Sequence, residues 1–292
     1  MRKIKSGVYG LNPLLDGGIN EHSQTVIIGT SGTGKTTFAT QFIRRGLEVG
    51  NDAVFVSLDE NQEQIIREAI AMGWTDIHKY IENKKLVFID ASGKKFSEFI
   101  MEELPDFVDR WHGVKSRIVI DPLTPVIWAV EDQYQQRELL SILMKETRKV
   151  GTVICTLEEH GTAGRLTGKE TIIPMYLADA VIHLKYVRKG GAITRNLEII
   201  KCRSSRHSSR SHEYKIMKGL GLVIKQSKVN RKKSKSIPTK LTDEIKKRRD
   251  LLPREVYLRL HEAFKGLDDE DIKGVEPSEI LLNILEDYSE LD

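Results

Sequence analysis

The chain has 292 residues, a net charge of +4, 39% hydrophobic and 30% charged residues, which excludes a disordered chain and allows one large α/β domain with an appendage. Its two cysteines exclude a disulfide framework, and the longest apolar stretch, "IVIDPLTPVIWAV", is too short for a bilayer span and contains Asp121. The N-terminus "MRKIKSGVYGLN" lacks the apolar run of a signal peptide, so we expect a soluble cytoplasmic protein with no membrane partner.

Apolar runs of strand length alternate with helical patterns over the first 180 residues. The runs are "TVIIG", "AVFVSL", "KLVFID", "RIVID" and "TVICT", and the clearest helical patterns cover Lys35 to Val49 and Gln135 to Val150. This order predicts an α/β fold with a mostly parallel sheet and helices on both faces. After Ala180 the turn "RKGGA" between two strand patterns predicts an antiparallel hairpin at the sheet edge.

A phosphate-binding loop follows the first long strand. "GTSGTGKTT" matches G-x-x-x-x-G-K-[ST] between a strand and a helix, and its residues are Gly29, Thr30, Ser31, Gly32, Thr33, Gly34, Lys35, Thr36 and Thr37. The glycines let backbone N–H groups wrap around phosphate oxygens, and Lys35 adds a cation at the β and γ phosphates. Thr36 supplies a hydroxyl that holds Mg²⁺, and the helix start favours an anion.

Carboxylates end two of the predicted strands. Asp121 ends "RIVID", where phosphate-loop enzymes hold Mg²⁺, and the alternative is a turn-starting Asp before Pro122. Asp59 and Glu60 end "FVSLDE", where they would orient and deprotonate a water, and the alternative is a solvated helix cap. Strand ends at this edge converge on a bound nucleotide.

In chain order, these motifs resemble the KaiC-like branch of the RecA superfamily. The resemblance rests on "GLNPLLDGGI", "GTSGTGKTT", "FVSLDE", "RIVIDPLT", "YLADAVIHL" and "LEIIKCRSSRH", and it runs from about Ser6 to Ile224. It implies a RecA-like ATPase core that binds ATP between the subunits of a homo-oligomeric ring, commonly a hexamer. The family's adjacent glutamate pair maps onto Asp59 and Glu60, so the first position departs from the family pattern.

Two late cations gain a role from the same resemblance. The family's K-x-R motif maps onto Lys201 and Arg203, which would be catalytic residues supplied to the ATP site of the neighbouring subunit. Residues two apart in a strand share a face, so both cations would project to one side and Cys202 to the other. Without the resemblance, they would be a solvated strand edge.

The rest of the chain divides by charge. We expect an ATPase domain over residues 1–224, a basic linker over 225–250 with eleven Lys or Arg, and an acidic tail over 251–292 with twelve acids. Two tail helices are predicted, beginning at Pro253 and Pro277. The tail lies outside the resemblance. The linker is either solvated, binds nucleic acid or an acidic partner, or pairs with the acidic end of its own chain.

The sequence does not decide what the ring acts on. The relevant segments are the two loops that follow the strands ending near Asp121 and Thr156. The second, with Gly161, Gly164, Arg165, Gly168 and Lys169, could contact phosphates, whereas Glu131 and Asp132 in the first would repel DNA. Trp128 and Tyr134 could stack on bases, but apolar packing is favoured.

Three hypotheses follow. The first is a regulatory KaiC-like ATPase that hydrolyses ATP and signals to an unknown protein partner. The second is a RadA-like accessory protein that binds DNA. The third is a nucleotide-gated assembly protein with weak hydrolysis, motivated by Asp59. Autophosphorylation is a further possibility in the family, but no acceptor is identified in "RSSRHSSRS".

Overall fold

The structure is a computed structural model that describes residues 2–109, 116–160, 166, 168–225, 237–267 and 275–288. Its strands are β1 (Lys3–Ile4), β2 (Ile19–Asn20), β3 (Gln24–Gly29), β4 (Asp52–Ser57), β5 (Leu86–Asp90), β6 (Ser116–Asp121), β7 (Gly151–Glu158), β8 (Ala180–Lys189), β9 (Ala192–Cys202), β10 (Ser211–Met217) and β11 (Gly221–Ile224). Its helices are α1 (Lys35–Glu48), α2 (Gln62–Ala71), α3 (Ile77–Glu82), α4 (Gly93–Glu102), α5 (Leu104–Asp109), α6 (Thr124–Trp128), α7 (Gln133–Val150), α8 (Lys169–Leu177), α9 (Ile237–Lys247), α10 (Arg254–Lys265) and α11 (Pro277–Tyr288).

Within the described residues, nine strands form one sheet in the order β11-β10-β9-β8-β3-β7-β6-β4-β5. The strands from β8 to β5 in this order are parallel, and β9, β10 and β11 add antiparallel neighbours at one edge. The predicted parallel sheet and antiparallel hairpin are confirmed. Because β3 lies at the centre, the phosphate loop leaves the middle of the sheet.

Two apolar clusters cover the two faces of the sheet. The alternation of β3 shows the division, since Ile27 belongs to one cluster and Val26 and Ile28 to the other. The α1-side cluster contains Phe38, Phe42, Ile27, Phe55 and Leu184. The α7-side cluster contains Val26, Ile28, Leu140, Leu143 and Val181.

Capping side chains set the starts of two helices. The side chain of Asn61 accepts a hydrogen bond of 2.9 Å from the backbone N–H of Gln64 and so caps α2. Asp132 caps α7 in the same way through the N–H groups of Tyr134 and Gln135. Asp132, which we expected to repel DNA, thus stabilises the start of α7.

The C-terminal helices pack on the sheet edge through a third cluster. This tail cluster contains Tyr9, Leu220, Val223, Leu241, Ile245, Leu260, Phe264 and Ile284. The two predicted tail helices correspond to α10 and α11. The helix α9 was not predicted, because the Lys and Arg content of residues 225–250 was taken to mark a linker. Leu241 and Ile245 lie one turn apart, and the burial of both stabilises a helix within that basic segment.

Candidate functional site

Three glycines give the phosphate loop its conformation. A larger residue at any of them would force neighbouring atoms to move. Gly32 and Gly34 have φ angles of +77° and +94°. A Cβ added at Gly34 would lie 2.6 Å from Ile216 Cδ1, and one added at Gly29 would lie 2.5 Å from the carbonyl oxygen of Leu184. The loop leads directly into α1, whose first N–H groups have no partner within the helix. The geometry therefore offers unpaired donors to an anion.

Side chains from the antiparallel strands hold the outer side of the loop. The Tyr186 hydroxyl donates to the carbonyl oxygen of Gly32 at 2.6 Å, and Arg195 Nε donates to the same oxygen at 3.3 Å. The Tyr214 hydroxyl donates to the carbonyl oxygen of Thr33 at 2.6 Å. We call these three side chains the loop brace. The loop brace donates only to carbonyl oxygens of the loop, so it does not occupy the loop N–H groups.

Lys35 lies close to three carboxylates. Burial lowers its pKa, and the charges of Glu158, Asp121 and Glu159 act in the opposite direction. Lys35 Nζ donates to the carbonyl oxygen of Thr30 at 3.3 Å. A bound polyphosphate would therefore compete with the acids for the ammonium group.

The structure brings Thr36 and Asp121 together. Burial raises the pKa of Asp121, while hydrogen bonds from Thr156 and Thr36 and the charge of Lys35 oppose that rise. One hydroxyl and one carboxylate are oxygen ligands of the kind that Mg²⁺ prefers, with nucleotide phosphates completing its shell. Among the described residues, no group of three or more His, Cys, Asp or Glu could hold a metal by itself. The two residues thus fit a metal that arrives with a nucleotide.

Asp59 and Glu60 lie just beyond the end of β4, and both are exposed. Ser57, the last residue of β4, pairs with Asp121, and its hydroxyl donates to the carbonyl oxygen of Glu60. The pKa of Glu60 is raised, first by partial burial and then by the charges of Glu68, Asp121 and Asp59. The second carboxylate of the pair therefore lies in a field that makes it a stronger base.

The end of β7 adds acids that the sequence analysis did not assign. In the sheet, β7 lies between β3 and β6, and Glu158 pairs with Gly29. The next residue, Glu159, is buried, and its Oε2 is hydrogen-bonded to His183 Nε2 at 2.9 Å. The segment "TLEEH" alone does not assign these acids to the site, because their position depends on β7 lying between β3 and β6 in the sheet.

The exposed aromatic residues correct one expectation. Trp128 and Tyr134 were expected to pack in apolar surroundings, but their exposed fractions are 59% and 85%. The rings of Trp128 and His160 are in tilted contact, with centroids 5.1 Å apart, so the two loops meet beside the site. Gly161, Gly164 and Arg165 lie outside the described residues, while Gly168 caps α8 and Lys169 begins it.

Lys201 and Arg203 follow a bulge near the end of β9. Ile182 pairs with Ile199 and Val181 pairs with Lys201, so Ile200 is an extra residue in β9. Both Ile199 and Cys202 then contact the α1-side cluster. Lys201 Nζ donates to the carbonyl oxygens of Met175 at 2.8 Å and Tyr176 at 3.0 Å, and Arg203 Nη2 donates to that of Tyr176 at 2.8 Å. Both cations thus lie at the end of α8.

Comparison with known proteins identifies the family. Residues 4–229 match the family model described as "ATPase: KaiC". The chain belongs to the KaiC family of ATPases. No described helix combines the length and apolar character needed to cross a bilayer.

Relatives within the KaiC family differ in length. The circadian clock protein KaiC3 of Synechocystis is 31% identical over 77% of this chain and 46% of its own length. The UPF0273 protein of Pyrococcus furiosus is 25% identical over 78% of this chain and 96% of its own. A crystal structure of a KaiC-like protein from Pyrococcus horikoshii superposes with a TM-score of 0.64 and 31% identity, over 77% of this chain and 99% of that one. The chain spans about half the length of the clock proteins.

The family assignment and the RecA-like fold are therefore confirmed. The motifs used for the resemblance all lie inside the matched residues 4–229. The tail helices α10 and α11 lie outside them, as does α9.

Proposed function

We propose that this KaiC-family chain binds ATP with Mg²⁺ and hydrolyses it. The observation that carries the proposal is the convergence of Lys35, the Thr36–Asp121 contact and Glu60 at one edge of the sheet. Membership of a family described as an ATPase supports the same activity. The loop would bind the phosphates through backbone N–H groups, and Lys35 would contact the β and γ phosphates.

The residues divide the hydrolytic step between them. A water oxygen attacks the γ-phosphorus, the bond to the β–γ bridging oxygen breaks, and Glu60 takes a proton from the water. Thr36 and Asp121 would hold Mg²⁺, which neutralises phosphate charge when bound. Asp59, one methylene shorter than the family's glutamate, would assist Glu60 through its charge rather than by contact.

We further propose that the chain acts as a homo-oligomeric ring, a hexamer by analogy with its family, with ATP between subunits. Lys201 pairs with Val181, which lies level with Val26 in β3, while the phosphate loop leaves β3 at Gly29. Three residues of strand separate the two levels by about 10 Å. Lys201 and Arg203 are therefore displaced from the phosphate loop of their own subunit. This supports the proposal that they contact ATP bound to a neighbouring subunit.

Mixing experiments test the shared site. A Lys35→Ala subunit lacks a working loop, and a Lys201→Ala/Arg203→Ala subunit lacks the proposed cations. Each alone should lose hydrolysis by about 100-fold or more, since a cation supplied in trans is worth about 10³ to 10⁵ in rate. Mixed oligomers should regain part of the activity, measured as phosphate release.

The control is a chain that carries all three substitutions. Mixed with the Lys201→Ala/Arg203→Ala chain, it supplies no cation to any intact loop and should give no rescue. Native mass spectrometry with ATP confirms that subunits mix and gives the ring size. Absence of rescue in oligomers shown to be mixed would rule out shared sites, even if each wild-type subunit hydrolyses ATP.

A DNA-binding role is the second candidate, favoured by the exposure of Trp128 and Tyr134. Exposed aromatic side chains stack on unpaired bases, with about 1–3 kcal/mol per base. Single-stranded DNA binding at about 50 mM salt, lost in a Tyr134→Ala variant, would support it. A chain that binds no DNA there with ATP present does not have this role.

Slow turnover is the remaining alternative. Here the chain would bind ATP to control assembly and barely hydrolyse it, because Asp59 replaces the family's glutamate. Repeated release of phosphate from each site would identify a hydrolysing enzyme, whereas a passive binder would not turn over its ATP repeatedly. An Asp59→Glu variant should then increase the rate.

A further inference from the structure

A second cavity lies at the edge of the sheet opposite the phosphate loop. It has a volume of about 340 Å³ and lies between β1, the end of α1 and the first residues of β6 and β7. Its charged lining residues are Arg2, Lys3, Lys5, Arg45, Arg117 and one acid, Glu21. β6 is six residues long, so about 20 Å of strand separates this cavity from Asp121 and the nucleotide edge.

Arg117 is built into the wall of this cavity. Its side chain crosses α1 at Gly46, where an added Cβ would lie 2.2 Å from Arg117 Cδ. Arg117 Nη1 donates to the carbonyl oxygen of Phe42 at 2.9 Å, and its guanidinium lies 4.7 Å from the centre of the Phe42 ring. These contacts fix the side chain of Arg117, and the residue is only 2% exposed.

The charge of Arg117 has no carboxylate within ion-pair distance among the described residues. Its other polar contact is to the neutral amide oxygen of Asn51, at 3.4 Å. Burial, and next the charge of Arg45, lowers the pKa of Arg117 to about 9, while the charges of Asp287 and Glu48 act in the opposite direction. A buried cation without a carboxylate at ion-pair distance is costly, and proteins normally place an anion beside it.

Two further buried groups on the same wall lack hydrogen-bond partners. Ser116 Oγ and Arg45 Nη1 form no hydrogen bond within the described part of the chain, and their residues are 4% and 3% exposed. Glu48 Oε2 lies 4.0 Å from Arg45 Nη1, beyond hydrogen-bond distance. A buried donor left without an acceptor costs about 1–3 kcal/mol. An oxyanion is the chemical group that accepts from several donors at once.

The charges around the cavity point to a dianion. Arg2, Lys5 and Arg45 have carboxylate partners at 3.6, 2.6 and 2.9 Å, in Glu21, Glu286 and Asp287. Lys3 Nζ instead donates to the carbonyl oxygen of Leu15 and the hydroxyl of Ser205. Arg117 and Lys3 are thus the two lining cations that form no ion pair within 4 Å with an acid of the described chain, although the more distant charges of Asp287 and Glu48 act on Arg117.

We propose that this cavity binds a small phosphorylated metabolite through its phosphate dianion. The phosphate would lie against Arg117, Arg45 and Ser116, and the volume leaves room for a body of a few carbon atoms. Ligand sites in proteins start at about 300 Å³, so the cavity suits a compact molecule. The site is separate from the ATP site and does not depend on the proposed hydrolysis.

The test uses inorganic phosphate and glycerol 3-phosphate as probes with the full chain carrying Lys35→Ala. That substitution weakens phosphate binding at the loop and leaves the second cavity unchanged. Isothermal titration should show saturable binding of both probes, and binding should raise the melting temperature. No saturable binding of either probe overturns the proposal, and binding of inorganic phosphate alone excludes the metabolite.

Ser116→Asp is the most informative variant, because its carboxylate would supply the missing counter-charge beside Arg117. It should weaken both probes about tenfold or more, the effect of losing charge-assisted hydrogen bonds, while the melting temperature without ligand is kept or raised. Arg117→Gln should weaken them similarly even where it lowers stability. Unchanged affinity in both variants excludes this cavity as the site.

A matched pair separates binding from burial. Thr25 Oγ1 is also a buried hydroxyl with no hydrogen-bond partner among the described residues, but Thr25 lies in β3 and does not line the cavity. Ser116→Ala should weaken the probes, whereas Thr25→Ala should leave their affinity unchanged. Equal loss in both variants would show that the effect is on the fold and would overturn the assignment.

Discussion

Glu60 shows how position in the sheet sets the chemistry of one carboxylate. Partial burial, and next the charges of Glu68, Asp121 and Asp59, raise its pKa above the ordinary 4.5. A base with a raised pKa holds a proton more strongly once it has taken one. For that reason we assign proton removal from water to Glu60.

Substitution of Glu60 tests this assignment. Glu60→Gln should lower kcat by about 10² to 10⁴, the usual contribution of a general base, while ATP affinity changes little. Asp59→Asn should have a smaller effect, since Asp59 acts only through its charge. Phosphate release and equilibrium binding of a fluorescent ATP analogue measure the two quantities. A larger loss in Asp59→Asn would reverse the two roles.

The pH profile gives a second residue-scale prediction. Glu60 acts as a carboxylate, so the rate falls as the pH drops through its pKa, and this acidic limb lies above the ordinary 4.5. Glu68→Gln removes the largest charge contribution and should move the limb to lower pH with little effect on the plateau. Arg67→Gln, on the same exposed helix, serves as a control. A limb that Glu68→Gln leaves in place would contradict this electrostatic account.

At the scale of elements, the hairpin strands and the phosphate loop depend on each other. The loop brace of Tyr186, Arg195 and Tyr214 comes from β8, β9 and β10, far along the chain from the loop. Its donors occupy the carbonyl oxygens of Gly32 and Thr33. The loop is thus held in a phosphate-binding conformation before any nucleotide arrives, which reduces the entropy lost on binding.

Loss of one brace hydrogen bond should weaken nucleotide binding. Tyr214→Phe removes a buried bond, worth about 1 kcal/mol, and should raise the Kd for ATP about fivefold. Tyr186→Phe should act less strongly, since its hydroxyl shares the Gly32 oxygen with Arg195. Titration with ATP measures both. If Tyr214→Phe binds ATP as tightly as wild type, the brace has no role in binding.

The same elements show which features the sequence could predict. The strands and α1 follow from apolar runs and the glycine motif, because these signals are local. The bulge at Ile200 and the brace have no local signal, since each depends on which strand lies opposite. Glu158 was missed for a related reason: the sheet order that puts β7 between β3 and β6 cannot be read from the strand patterns alone.

At the scale of the whole molecule, the tail joins the amino-terminal segment to α1. Asp287 in α11 accepts hydrogen bonds from Asn12 Nδ2 at 2.6 Å and from the backbone N–H of Gly7 at 3.2 Å. It also pairs with Arg45 in α1 at 2.9 Å, with both side chains buried. The charge difference between the basic and acidic segments suggested a linker and a tail, but it did not predict this attachment.

Removal of the Asp287 side chain should therefore destabilise the whole domain. Asp287→Ala leaves Arg45 buried beside no carboxylate from the tail, and breaking such a pair costs about 3–5 kcal/mol of the free energy of unfolding. Asp287→Asn keeps an acceptor for Asn12 and Gly7, so it separates the charge from the hydrogen bonds and should cost less. Leu282→Ala, on the exposed face of α11, is the control and should change stability little. Denaturant unfolding of the three variants measures these differences. If Asp287→Ala is as stable as wild type, the tail is not part of the folded unit that holds α1, and the amino-terminal segment must be held by the sheet alone.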